Sequence, residues 1–233
     1  AGIMVLRGLP PGKPERVHDQ HVLDFRPVLK SREVRPYILG YAVHCWELFG
    51  SRSWLVAFFV FAQSLQTAGG AAPAAWSAVT IAAVANLFGP AASIYGNELA
   101  MRHGRERLIW KVMLASGVLT CALGFFSFLP WYALAALAML HMCFIMGDSS
   151  ALTAGVVTRA NERIRGATMA VHSMLGFGAG FVAPLVFGAV LDLTGGKLSP
   201  LAWGFAFATL GAGAIAMAGF IRSRVAAGVE ARA

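Results

Sequence analysis

One apolar stretch, residues 37–66, constrains the fold of this chain more than any other feature. At about 1.5 Å per residue, a helix of this length reaches about 45 Å, which exceeds the thickness of a bilayer. The stretch nevertheless carries His44, Glu47 and Arg52 near its middle. An ionisable side chain at the bilayer centre costs roughly 2.5–3.5 kcal/mol, so such groups face a protein interior or a wet cavity. The stretch therefore predicts a membrane-spanning helix that needs partner helices.

The remainder of the chain contains further windows of the same kind. Only 13% of the 233 residues are charged, whereas soluble domains carry about 25%. The pattern predicts an all-α membrane protein with six transmembrane helices. The six predicted spans, each long enough to cross a bilayer, are residues 36–66, 73–95, 108–129, 131–158, 166–193 and 201–221.

The distribution of positive charge predicts how these helices are oriented. The formal net charge is +8, but the Lys and Arg residues lie between the apolar windows, so we expect no nucleic-acid partner. Seventeen of the 19 fall on one side of the predicted spans, Lys197 falls on the other, and Arg52 lies within the membrane. The positive-inside rule then places both ends of the segment in the cytoplasm. We expect a protein of the cytoplasmic (inner) or plasma membrane.

The start of the chain suggests that the sequence is the C-terminal piece of a longer protein. Residues 1–6 are a short apolar stretch, which we interpret as the end of a preceding helix. Residues 1–35 would comprise that end and a cytoplasmic linker, residues 36–222 the six-helix bundle, and residues 223–233 a cytoplasmic tail. The lipid bilayer is the first expected partner.

No pattern in the chain predicts an enzyme or a bound cofactor. Cys45, Cys121 and Cys143 all lie inside apolar windows without metal-ligand spacing, and we interpret them as small buried hydrophobes. The sequence Gly147-Asp-Ser-Ser does not form a Gly-x-Ser-x-Gly nucleophile elbow. We therefore expect no catalytic residues, no metal and no cofactor.

Candidate site residues lie on the first and fourth predicted helices. His44, Glu47 and Ser51 fall within about 60° of one another at 100° per residue, whereas Arg52 lies about 140° from Glu47. On the fourth helix, His141 and Asp148 are seven residues apart and share one face. These six residues form either a substrate or proton site or a structural network between helices, and the sequence leaves both interpretations open.

The fifth window has small residues and a proline at four-residue spacing. Such a stripe lets helices approach closely, and a proline flanked by glycines is also suited to a gating bend. The sixth window has no ionisable group and is interpreted as a supporting or lipid-facing helix. The stripe consists of Gly176, Gly180, Pro184 and Gly188.

Residues 97–107, Asn-Glu-Leu-Ala-Met-Arg-His-Gly-Arg-Glu-Arg, resemble the cytoplasmic signature loop of the major facilitator superfamily, Gly-x-Leu-Ala-Asp-Arg-x-Gly-Arg-Arg. Asn97 replaces the first glycine and Met101 replaces the acidic residue, for which Glu98 is a possible substitute. Residues 165–172 and the glycine stripe are similar to the eleventh helix of that family. The matching signature residues are Leu99, Ala100, Arg102, Gly104 and Arg105.

The resemblance implies that the chain is the C-terminal half of such a transporter, with helices seven to twelve. Its partners would be a missing N-terminal half of six helices and a small-molecule solute. The implied function is alternating-access transport, with proton coupling as our expectation from the buried acids. The alternative is a stand-alone six-helix channel or intramembrane enzyme.

Overall fold

The computed structural model describes residues 24–70 and 76–230, and these residues form nine α-helices without a β-strand. In a helix, the backbone N–H and C=O groups bond to one another, and this is required in a membrane because lipid tails cannot hydrogen-bond to them. The helices are α1 (Arg26–Lys30), α2 (Arg35–Ala68), α3 (Ala78–Leu87), α4 (Gly89–His103), α5 (Arg105–Leu123), α6 (Trp131–Gly147), α7 (Ser149–Arg159), α8 (Arg165–Leu193) and α9 (Pro200–Glu230).

Six helical segments of the described chain are long and apolar enough to cross a membrane. The first span is α2, the second α3 with α4, the third α5, the fourth α6 with α7, the fifth α8 and the sixth α9. The expected all-α membrane protein with six spans is therefore confirmed. The predicted helix end at residues 1–6 and most of the predicted linker lie outside the described residues.

The connection between the second and third spans is shorter than the loop that the signature resemblance implied. Leu99, Ala100 and Arg102 belong to helix α4, which continues to His103. Gly104 alone separates α4 from α5, and its φ of +92° reverses the chain without a loop. Only glycine readily adopts this backbone conformation, so the turn needs no further residues.

One face of the sixth span is buried inside the bundle, and the opposite face is exposed. Trp203, Phe207, Leu210 and Ala214 are fully or almost fully buried, whereas Gly219 on the same helix is exposed. Of the expected supporting or lipid-facing helix, the buried face of α9 fits the supporting role and only the other face is exposed. The helix also continues to Glu230, beyond the predicted start of the tail.

Two hydrophobic clusters occupy opposite ends of the bundle. One lies toward the Lys197 end and is rich in aromatic rings that pack against one another at tilted angles, including Phe58, Phe187 and Trp203. The other lies toward the Gly104 turn and includes Ile109 and Leu152. The buried polar residues of the first and fourth spans come between these clusters, near the middle of the bundle.

The glycine stripe of α8 lies against the first span. A Cβ added to Gly176 would meet the Tyr41 ring, and one added to Gly180 would meet Phe49. The indole N–H of Trp54 donates to the carbonyl oxygen of Pro184 at 3.0 Å. Aromatic side chains of α2 thus fill the space that the small residues leave, and α8 runs unbroken through Pro184.

Candidate functional site

Polar side chains from three spans meet between the two hydrophobic clusters. The first span contributes His44, Glu47 and Ser51, which are exposed by only 2%, 2% and 0%. The fourth span contributes His141 and Asp148, exposed by 0% and 2%. Because each set lies on one face of its helix, the helices bring these five candidates into the same interior.

The Glu47 carboxylate is held by hydroxyl groups of the third span. Thr120 Oγ1 donates to Glu47 Oε1 at 2.6 Å, and Ser116 Oγ lies 3.1 Å from Glu47 Oε2. Within the described chain, no Lys, Arg or His nitrogen lies within 4.0 Å of this carboxylate. Glu47 is therefore solvated by neutral donors inside the membrane, without a paired cation.

Thr120 also contacts an imidazole on its other side. Its Oγ1 lies 2.7 Å from His141 Nε2, and both residues are fully buried. A threonine hydroxyl has one proton and two acceptor positions, so it can donate to one neighbour while it accepts from the other. Glu47, Thr120 and His141 thus form a continuous chain of carboxyl, hydroxyl and imidazole groups.

Asp148 contacts a second histidine, His44. His44 Nδ1 and Asp148 Oδ1 are 2.8 Å apart, although the ring N–H lacks the alignment of a straight hydrogen bond. Asp148 lies at the irregularity between α6 and α7. The Tyr41 ring stacks on His44 and, more closely, on His172, with a centroid separation of 3.9 Å for the second pair.

Arg52 does not join either acidic group. Its Nη2 contacts Met146 Sδ at 3.8 Å, and its Nε is buried without a hydrogen-bond partner. Ser51 Oγ is likewise buried without a partner. Of the six predicted site residues, the structure groups Glu47 with His141 and His44 with Asp148, and it leaves Arg52 apart, as its position on the helix indicated.

Sequence reasoning missed Ser116 and Thr120. They are the only hydroxyl residues of α5 and lie one helical turn apart, which would have been the available signal. Hydroxyl residues in apolar helices commonly bond to their own backbone, however, and Ser116 Oγ also lies 3.1 Å from Met113 O. The residue types alone therefore did not separate these two from ordinary helix residues.

The signature segment connects to neighbouring spans through polar contacts. Arg102 pairs with Glu98 one turn earlier, with Nη2 and Oε1 2.9 Å apart. Arg105 Nη1 donates to Thr158 Oγ1 at 2.8 Å and so joins the start of α5 to the end of α7. Glu98 thus supplies a carboxylate to Arg102 where Met101 cannot.

Among the residues that the structure describes, no three His, Cys, Asp or Glu side chains come close enough together to hold a metal ion. Neither a scan against models of protein families nor a search of curated proteins gives a match to this chain.

Proposed function

We propose that this chain forms one half of a secondary transporter that moves a small solute by alternating access and couples that movement to protons. The observation that carries the proposal is the Glu47 carboxylate, which is 2% exposed at mid-span and contacts hydroxyl donors with no cation beside it in the described chain. An ionised group in this setting is costly unless its charge is neutralised for part of a cycle. Proton binding neutralises it.

The chain of Glu47, Thr120 and His141 gives the proton a path. With Glu47 ionised and His141 protonated on Nε2, this N–H donates to Thr120 Oγ1, whose own proton points to Glu47 Oε1. A further proton that binds His141 Nδ1, which has no hydrogen-bond partner in the described chain, starts the transfer. When the threonine proton moves to Glu47 and the Nε2 proton moves to the threonine, Glu47 becomes neutral. His141 is then neutral with its remaining proton on Nδ1. Two hops thus discharge both groups and leave the hydroxyl unchanged.

Other features support a half-transporter over a channel. The second span has a one-residue irregularity at Phe88 and the fourth has one at Asp148, and both residues keep helical backbone angles. Discontinuous helices near the midplane are typical of the central sites of secondary transporters, and these two irregularities are a mild form of that feature. The resemblance of residues 97–107 to the major facilitator signature favours the same class. A second six-helix half would then complete the solute pathway.

Glu47→Gln tests the proposal because it keeps the size and hydrogen bonding of the side chain but removes its titration. In proteoliposomes of the complete protein, with a solute selected from a radiolabelled panel, we expect pH-driven uptake to fall at least roughly tenfold. Exchange between two solute-loaded compartments should continue, because it needs no net proton movement. Uptake by Glu47→Gln at the unaltered rate would make Asp148 the better candidate, to be tested as Asp148→Asn.

Thr120 offers a matched pair of variants for the proton path. Thr120→Val keeps the shape of the side chain but removes the hydroxyl, whereas Thr120→Ser keeps the hydroxyl. We expect the valine variant to lose pH-driven uptake and the serine variant to retain most of it. Equal loss in both would indicate that packing at Thr120, and not its hydroxyl, is what transport requires.

A further inference from the structure

We propose that Arg52 binds the solute and that the solute is a small oxyanion, bearing a carboxylate or a phosphate group. This inference rests on the proposed transport function, because it assigns a substrate class to that pathway. It starts from a different observation, which is a guanidinium near the middle of the first span whose described surroundings provide no counter-ion.

The acidic residues in the described chain are not available to Arg52. Glu47 is bonded to Ser116 and Thr120, and Asp148 lies against His44. The salt bridges of arginines in this part of the structure are those of Arg102 and Arg165, outside the membrane interior. Within the described residues, no carboxylate oxygen comes within 4.0 Å of the Arg52 guanidinium.

The surroundings of Arg52 provide only weak acceptors. Nη2 contacts the thioether sulfur of Met146 at 3.8 Å, and a thioether is a poor acceptor for a charged donor. The same nitrogen lies next to Gly89, 3.5 Å from the position that a Cβ on this residue would take, and Gly89 has no side chain that could accept a hydrogen bond. Nε is buried and unpartnered. The described residues thus leave donors of the guanidinium unsatisfied, and the partly exposed side chain could present them to another molecule after a small rotation.

Partial exposure distinguishes Arg52 from the buried acids. Glu47 and Asp148 are almost completely enclosed, whereas Arg52 reaches the surface of the bundle in the middle of the membrane. A cation is not stable against lipid tails at this depth, so this surface must line a wet cavity or contact an anion. Gly89 and Met146 lie beside the irregularities of the second and fourth spans, where such a cavity is expected.

An oxyanion is the ligand that fits an arginine in this state. The planar guanidinium presents paired N–H donors that match the two oxygens of a carboxylate or phosphate. Neutral solutes would leave the charge unbalanced, and cations would be repelled. The energetic requirement and the donor geometry therefore select the same class of solute.

Thermal unfolding of the complete protein in detergent tests this assignment without any proton gradient. The probes are acetate, succinate and inorganic phosphate, with glucose and choline for comparison and chloride held constant. We expect at least one oxyanion to raise the unfolding midpoint saturably, by about 2 °C or more, and glucose and choline to have no effect. Arg52→Met should abolish that shift, whereas Arg163→Met, which removes an exposed arginine, should retain it.

Two results would overturn the assignment, namely no shift with any oxyanion or an unaltered shift in Arg52→Met. If Arg52→Met does not fold, Arg52→Lys serves instead, since it keeps the charge and loses the paired donors. We then expect a roughly tenfold higher oxyanion concentration at half-saturation; an unchanged concentration would contradict the proposal. The binding test needs no proton gradient and no transport. The oxyanion assignment can therefore be contradicted while the proton-coupling proposal holds, and the proton-coupling proposal can be contradicted while the oxyanion assignment holds.

Discussion

Two interfaces of the bundle are rich in glycine, and glycine has a different role in each. Between the first and fifth spans, glycines of α8 face aromatic rings of α2, as Gly180 faces Phe49. Between the third and sixth spans, Gly117 faces Gly211, and the nearest atom to a Cβ on either glycine would be the backbone carbonyl oxygen of the other. One interface therefore makes room for side chains, and the other lets two main chains touch.

The difference predicts how each interface responds to a larger residue. A Cβ on Gly117 would lie 2.7 Å from the carbonyl oxygen of Gly211 and 3.0 Å from the backbone nitrogen of Ile215. Backbone atoms in a helix cannot move without moving the helix. A Cβ on Gly180 would be at least as crowded, with Phe49 Cδ2 as its nearest atom and Cγ at 3.1 Å, but these atoms belong to a side-chain ring that is only partly buried. A side chain can turn aside at a smaller cost.

The largest effect is therefore expected for Gly211→Ala. The new methyl group would overlap the carbonyl oxygen of Gly117 and would lie 2.7 Å from Cys121 Sγ and 2.9 Å from the Cys121 backbone nitrogen. We expect these contacts to force α5 and α9 apart. We expect destabilisation at or above the upper end of the about 1–3 kcal/mol that overpacking costs. The folded fraction in size-exclusion chromatography and the unfolding midpoint measure it.

Gly219→Ala is the matched control for that variant. Gly219 lies on the same helix, and a Cβ there would meet nothing within 4 Å. We expect its stability to stay within about 0.5 kcal/mol of the unaltered protein. If Gly211→Ala were equally mild, the two main chains would have room to separate, and the contrast between the interfaces would be lost.

The spans themselves were predictable from the sequence, and the reason is physical. Lipid cannot hydrogen-bond to the backbone, so any segment that crosses must be a long apolar helix, and this leaves a plain signal. The connection at Gly104 was not predictable in the same way. The polar residues before it indicated a loop, whereas they continue α4, and a single glycine makes the turn.

The sequence identified mainly the ionisable side chains of the candidate site. His44, Glu47, His141 and Asp148 were conspicuous because charge is rare in apolar windows, and all four are buried together. Their pairing was not predictable, since it depends on how each helix is rotated and packed. Thr120 was missed for a related reason, because only the structure places its hydroxyl between two spans.

Gly180→Ala is expected to have an intermediate effect, because Phe49 can move. We expect about 1 kcal/mol of destabilisation, read from the unfolding midpoint. Gly178→Ala is the control on the same helix, since Gly178 is exposed and a Cβ there would meet nothing within 4 Å. A loss as large as that of Gly211→Ala would show that α8 and α2 are held as rigidly as α5 and α9.

The smallest expected effect is also the one that separates the two interfaces most directly. Phe49→Leu trims the ring that a methyl group on Gly180 would displace, so the two changes together should cost less than their sum. We expect a coupling of about 0.5 kcal/mol in a double-mutant cycle based on unfolding midpoints. For Gly211→Ala, the corresponding change is Cys121→Ala, which removes the sulfur but leaves the backbone nitrogen and the Gly117 carbonyl in place. Because no substitution removes these backbone atoms, Cys121→Ala should restore less of the stability lost in Gly211→Ala than Phe49→Leu restores in Gly180→Ala. Equal recovery of stability at both interfaces would contradict the distinction between them.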